Sequence, residues 1–182
     1  MTTHIFLDTE TTGLGPFGKE PRKDQIIEVA FVWEEDGKIQ KIHELCNPGN
    51  EYLENAEEAL KVQGRTKEEV NSFQEVGDAI QSVRDQLVNL KGFPMKTEFH
   101  AWNIGFDKFF IEQHPWKIGL NWGEDPMVLA SRKMGYSYDR IGLAKAAAYF
   151  EIELPEDSHF HSALADAYMA MMIYKKIKGV LQ

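Results

Sequence analysis

The stretch Ile5-Phe6-Leu7-Asp8-Thr9-Glu10-Thr11-Thr12-Gly13-Leu14 constrains this chain more than any other. Ile5 to Leu7 is a short apolar run of strand formers, suited to a buried strand. The run leads straight into Asp8 and Glu10. Side chains alternate along a strand, so residues two apart point the same way. Two carboxylates therefore stand together at the end of a buried strand, before a Thr-Thr-Gly turn. Like charges held that close and partly desolvated are costly unless something neutralises them. Hard divalent cations such as Mg²⁺ and Mn²⁺ do so through oxygen ligands. Taken alone, the segment is equally readable as a strand that ends in polar loop residues with no metal.

At 182 residues the chain fits a single domain, 1–182, large enough for a full core. No apolar run approaches the ~20 residues needed to span a membrane, and no signal-peptide pattern opens the chain. A lone Cys46 excludes an internal disulfide framework, which points to a reducing cytoplasm. The net charge of −9 argues against a broad basic face gripping long nucleic acid. It leaves room for a nuclease that uses metal ions and a few local contacts.

Along the chain, residues 15–23 form a turn-rich loop carrying Lys19, Arg22 and Lys23. Asp24 to Trp33 reads as a second strand, Glu34-Glu35-Asp36-Gly37 as a hairpin turn, and Lys38 to Cys46 as a third strand. Glu54 to Val62 is a short helix. Thr66 with Glu69 is a capping box for the next one, and Ser72 with Glu75 repeats the signature before an amphipathic helix over 76–90. Lys96 to Trp102 reads as a fourth strand, Phe106 to His114 as a helix, and Trp116 to Trp122 as a fifth, weaker strand. Helices follow over about 125–134, 141–150 and 162–178. A hairpin-built trio of strands followed by strand-helix alternation predicts an α/β fold with a mixed sheet.

Two further stretches bear on the acidic pair. Asp107, in Asn103-Ile104-Gly105-Phe106-Asp107, falls in the first turn of a helix, where it either complements the helix dipole or joins the pair. In His159-Phe160-His161-Ser162-Ala163-Leu164-Ala165-Asp166, Ser162 is a plausible N-cap and the alanines keep the helix thin enough to lie close to a sheet. Asp166 is then either solvated or turned toward the strand-end carboxylates. His159 and His161 are either an inert loop pair or metal-binding imidazoles.

Together these stretches resemble the DEDDh family of 3′–5′ exonucleases, on the side of polymerase proofreading subunits. Asp8 to Leu14 is similar to the family's first motif, Asn103 to Asp107 to its second, and His161 to Asp166 to its third. Ile26-Ile27-Glu28-Val29, Asn47-Pro48-Gly49 and the Val62-Gln63-Gly64 turn also fall in suitable places, so the resemblance covers nearly the whole chain in order. It implies a ribonuclease H-like fold, a five-stranded mixed β-sheet flanked by α-helices. It further implies that Asp8, Glu10, Asp107 and Asp166 bind two divalent cations, Mg²⁺ or Mn²⁺, with His161 as general base. The implied reaction releases nucleoside 5′-monophosphates from the 3′ end of single-stranded nucleic acid, DNA favoured over RNA. The resemblance assigns the terminal nucleotide to Thr9, Thr11, Thr12, Gly13 and Leu14, with Leu14 wedging between bases. It adds Val62, Gln63, Asn103 and Phe106 to the same pocket.

The chain departs from the family at Gln63-Gly64-Arg65, where His-Gly-Ile is common. Arg65 is therefore expected to contact a substrate phosphate, the alternative being a solvated turn residue. Lys19, Arg22 and Lys23 are expected to guide the strand electrostatically. An oligoribonuclease or RNA-trimming enzyme, an inactive binding or scaffold module, and a small-molecule phosphodiesterase are the competing readings. With no tail after the last helix, a stand-alone enzyme, or one held by a polymerase through its folded body, is expected over a tail-tethered subunit.

Overall fold

The computed structural model describes residues 2–18, 23–137, 139–153 and 162–179. Lys19, Arg22, His159 and His161 lie outside them. The described strands are β1 (Thr3–Thr11), β2 (Ile26–Glu35), β3 (Lys38–Asn47), β4 (Gln74–Glu75) and β5 (Thr97–Ala101). The helices are α1 (Asn50–Leu53), α2 (Glu57–Val62), α3 (Lys67–Asn71), α4 (Val76–Val88), α5 (Ile104–Glu112), α6 (Pro126–Lys133), α7 (Leu143–Tyr149) and α8 (Ala163–Ile177). The sheet order is β4-β3-β2-β1-β5; β1 pairs antiparallel with β2 and parallel with β5, so the sheet is mixed as expected.

β1 lies inside the sheet, between β2 and β5, and its alternation divides the molecule. Ile5 and Leu7 enter a core with Phe31, Val83 and Leu87 of α4, and Phe110 and Ile111 of α5. On the opposite face Phe6 packs with Val32 and with Ala167, Ala170, Met171 and Tyr174 of α8. The alanines do what their size allows: with only a methyl at 167 and 170, α8 lies directly on the strands. Burying both faces stabilises the sheet by area alone, at roughly 25 cal/mol per Å² of apolar surface.

Two expectations are corrected. The fifth strand is not 116–122. Trp116 and Ile118 are buried, which explains their strand-like pattern, but Lys117 between them has φ 46° and only Trp122 bridges to Phe99. The fifth strand is the two-residue β4, parallel to the end of β3. The Ser72–Glu75 capping box does not form either: the Ser72 hydroxyl donates to Glu69 O at the end of α3, and Glu75 stands at the N-cap of α4 with no side-chain cap bond. The Thr66 cap does form, accepting from Glu69 N. The first expected helix is shorter, with Glu57–Val62 in place of 54–62, and α5 starts at Ile104.

Candidate active site

Asp8 and Glu10 leave the same face of β1, where α8 covers the sheet, and Asp166 descends from the first turn of α8. Carboxylate oxygens of these three residues all lie within 4.8 Å of one another. Ser162 sets the start of α8, its hydroxyl accepting from Ala165 N at 3.2 Å. Burial, then the charges of Asp107, Asp166 and Glu10, push the Asp8 carboxyl well above the usual carboxylate range. Burial and then Asp166 and Glu28 push Glu10 up to about 8. Desolvated carboxylates that repel one another favour the proton, or a cation in its place. The donor set is oxygen throughout, so it fits a hard divalent cation.

Asp107 approaches from the other side. It is buried in α5, and its Oδ1 accepts a hydrogen bond of 2.8 Å from the Thr9 hydroxyl. It is thus more than a dipole complement. Burial pushes its carboxyl up to about 7, although the Thr9 bond pulls the other way. It is near enough to raise both Asp8 and Glu10. α5 itself begins at Asn103, in left-handed backbone (φ 72°), a conformation Asn tolerates well among residues bearing a side chain. Asp125 anchors that start. Its carboxylate accepts from Asn103 N, from Ile104 N at 3.0 Å, and from Met127 N at 2.8 Å as the N-cap of α6.

The threonines expected to cradle a nucleotide turn inward. Thr9 holds Asp107; the Thr11 hydroxyl donates to Gly13 O; the Thr12 hydroxyl donates to Asp24 Oδ1 and accepts from Gln25 N. All three are buried, so their side chains brace the turn and leave only backbone to face a ligand. Asp24 closes it by accepting from Gly15 N at 2.8 Å. Gly15 has φ +54°, and a Cβ there would meet the Phe110 ring at 3.0 Å. Leu14 and Val62 are exposed, and the Phe106 ring lies tilted at 42° to the exposed Phe17, centroids 5.8 Å apart. Gln63 donates to Thr11 O at 2.9 Å.

Arg65 does not reach outward. Its guanidinium pairs with Glu28 and with Glu69 and is only 15% exposed. Glu28 sits opposite Glu10 across β1 and β2, wholly buried, and also accepts from His43 Nε2 at 2.9 Å. Burial would raise the Glu28 carboxyl, but the bonds from His43 and Arg65 outweigh it and hold it below its ordinary range. The expected phosphate contact is therefore corrected: Arg65 is the counter-ion of a buried carboxylate beside Glu10. Thr9, Asp24, Glu28 and Asp125 are the site residues that sequence reasoning missed as supports. Their partners lie 98, 12, 37 and 22 positions away, which no local pattern reveals.

A mixed sheet covered on both faces, with carboxylates gathered where an inner strand meets a helix N-terminus, is the arrangement of a ribonuclease H-like nuclease. Residues 5–174 match the exonuclease family RNase_T, and the chain belongs to that family. The chain is 30% identical to the PolC-type DNA polymerase III of Thermotoga petrophila over 99% of its own length, but spans 12% of that protein. Solved structures share the fold. Exonuclease X in complex with 5′ overhanging duplex DNA superposes with TM-score 0.66 at 22% identity, covering 97% of this chain and 92% of the other. The nuclease domain of 3′hExo, a DEDDh family member bound to rAMP, gives 0.68 at 14%, covering 98% and 92%. Cell-death related nuclease 4 gives 0.74 at 14%, covering 99% and 64%.

Proposed function

We propose that this chain is a metal-dependent 3′–5′ exonuclease of the DEDDh type, acting on single-stranded nucleic acid, DNA before RNA. One observation carries the reading: three carboxylates within 4.8 Å of one another, two of them pushed far up by burial and mutual repulsion. Asp8, Glu10, Asp107 and Asp166 would hold two Mg²⁺ or Mn²⁺ ions, which supply positive charge to the scissile phosphodiester and its departing oxygen. Thr9 keeps Asp107 aimed, and Asp24 with Gln63 holds the turn against which the terminal nucleotide lies. Leu14 and Val62 offer apolar contact to bases. His161 takes a proton from the attacking water. A P–O bond to water forms, the bond to the 3′ oxygen breaks, that oxygen is protonated, and a nucleoside 5′-monophosphate leaves.

The polymerase relative supports a proofreading context. No helix among the described residues is long and apolar enough to cross a membrane. The test is degradation of 5′-labelled single-stranded DNA and RNA of equal sequence, with Mg²⁺, Mn²⁺ or EDTA, beside Asp8→Asn. A metal-dependent ladder shortening from the 3′ end, lost in the variant, is expected, and faster on DNA. Absence of cleavage under every condition moves the reading to an inactive binding module.

A further inference from the structure

The face of β1 that carries Asp8 and Glu10 also carries His4, at the strand's other end. In the parallel pairing with β5, His4 lies beside Glu98, and Phe6 beside His100. One ligand atom from each of His4, Glu98 and His100 falls within a common 4.8 Å, with His4 Nδ1 2.9 Å from His100 Nε2 and 3.7 Å from Glu98 Oε2. His4 and Glu98 are each about two-fifths exposed, giving access from solvent, whereas His100 is fully buried.

His100 is set in place more firmly than a core histidine requires. Its Nδ1 lies 2.8 Å from the carbonyl of Glu124, an atom that only accepts, so Nδ1 carries the proton and Nε2 presents its lone pair toward His4. A ligating imidazole usually has its second nitrogen fixed in this way. The ring stacks on Phe6 at 4.9 Å and meets Tyr174 at 4.8 Å. Gly123 leaves room for it, since a Cβ there would sit 2.5 Å from the ring. Burial lowers the pKa of His100 and so keeps the ring neutral. The nearby Lys178 and Lys175 are already ion-paired, with Glu124 and Glu34.

We propose that His4, Glu98 and His100 form a second metal site, for a borderline divalent cation such as Zn²⁺ or Co²⁺, separate from the catalytic carboxylates. Two imidazoles and one carboxylate are the donors such ions prefer, and three protein ligands leave a fourth position for water. Along β1 the site stands about 13 Å from Asp8, four residues at ~3.3 Å each. The ion would clip the first residues of β1 to β5.

The test uses tag-free chain carrying Asp8→Asn, Glu10→Gln, Asp107→Asn and Asp166→Asn, which removes the charge of all four catalytic carboxylates, titrated with Co²⁺ and then Zn²⁺. One equivalent of Co²⁺ with the visible absorption of a four-coordinate ion is expected, displaced by Zn²⁺, with Tm raised by about 5 °C at saturating Zn²⁺. His4→Ala should weaken binding at least ~10-fold, and Glu98→Gln by a similar factor, with circular dichroism unchanged. Absence of the Co²⁺ spectrum, or an affinity in both variants unchanged from that of the parent chain, overturns the proposal.

Discussion

Between Asp8 and Glu10 on β1, Thr9 points to the opposite side of the sheet and donates to Asp107. A hydroxyl that orients a ligating carboxylate is worth about 10–100-fold in metal affinity or turnover. Thr9→Val should therefore lower kcat by roughly 10-fold or more and raise the Mg²⁺ concentration needed for half-maximal rate, while Thr9→Ser restores both. A Val variant with normal Mg²⁺ dependence would sink this role. Arg65 makes the opposite kind of prediction. Removing it leaves Glu28 buried with His43 as its remaining partner. Arg65→Ala should cost about 2–4 kcal/mol of stability, read by urea unfolding, with Glu28→Gln in the same chain recovering part of it. If Arg65 touched substrate phosphate instead, KM would rise and its salt dependence would flatten with stability unaltered.

At the scale of elements, β1 concentrates charge that the fold alone does not compensate. The Glu10 and Asp107 carboxyls are raised from ordinary values of 4.5 and 3.8 to about 8 and about 7. Both bind protons more readily folded than unfolded, so in EDTA their contribution to stability is present below about pH 4 and is lost as the pH climbs through 7 to 8. Between about pH 5.5 and 8 the metal-free chain should lose Tm, by roughly 2–4 °C per kcal/mol, and Glu10→Gln should lose less. A wild-type Tm that rises over this interval would contradict the assignment. α8 makes a second test. Ala167→Leu forces the helix off β1, costing about 1–3 kcal/mol, and should depress activity beyond that by shifting Asp166.

The same scale shows what was legible in the sequence. Strand alternation told that Asp8 and Glu10 share a face, and the Ser162 cap told where α8 begins. β4 was illegible because two residues carry no periodicity, and 116–122 misled because buried Trp116 and Ile118 mimic a strand. The threonines of the first motif were visible, but which way they turn depends on Asp24 and Asp107. Arg65 likewise read as a surface residue because Glu28 looks like any strand glutamate until the sheet places it beside Glu10.

For the whole molecule, a net charge of −9 would set the proposed polyanionic substrate against the protein's own field. Local cations then matter more than their number suggests. Replacing Lys19, Arg22 and Lys23 with Ser should flatten the dependence of kcat/KM on salt; an unchanged slope would leave the loop without a steering role.

The two ends of the described chain meet at the site, since Asp8 comes from the first strand and Asp166 from the last helix. A ribosome adding about 5–20 residues each second must work for roughly 8–30 s between making one and making the other. Throughout that interval the paired carboxylates of β1 lack their third member. The nascent polypeptide can therefore emerge beside messenger RNA with its carboxylate cluster still open, and the cluster closes only after Asp166 has been made.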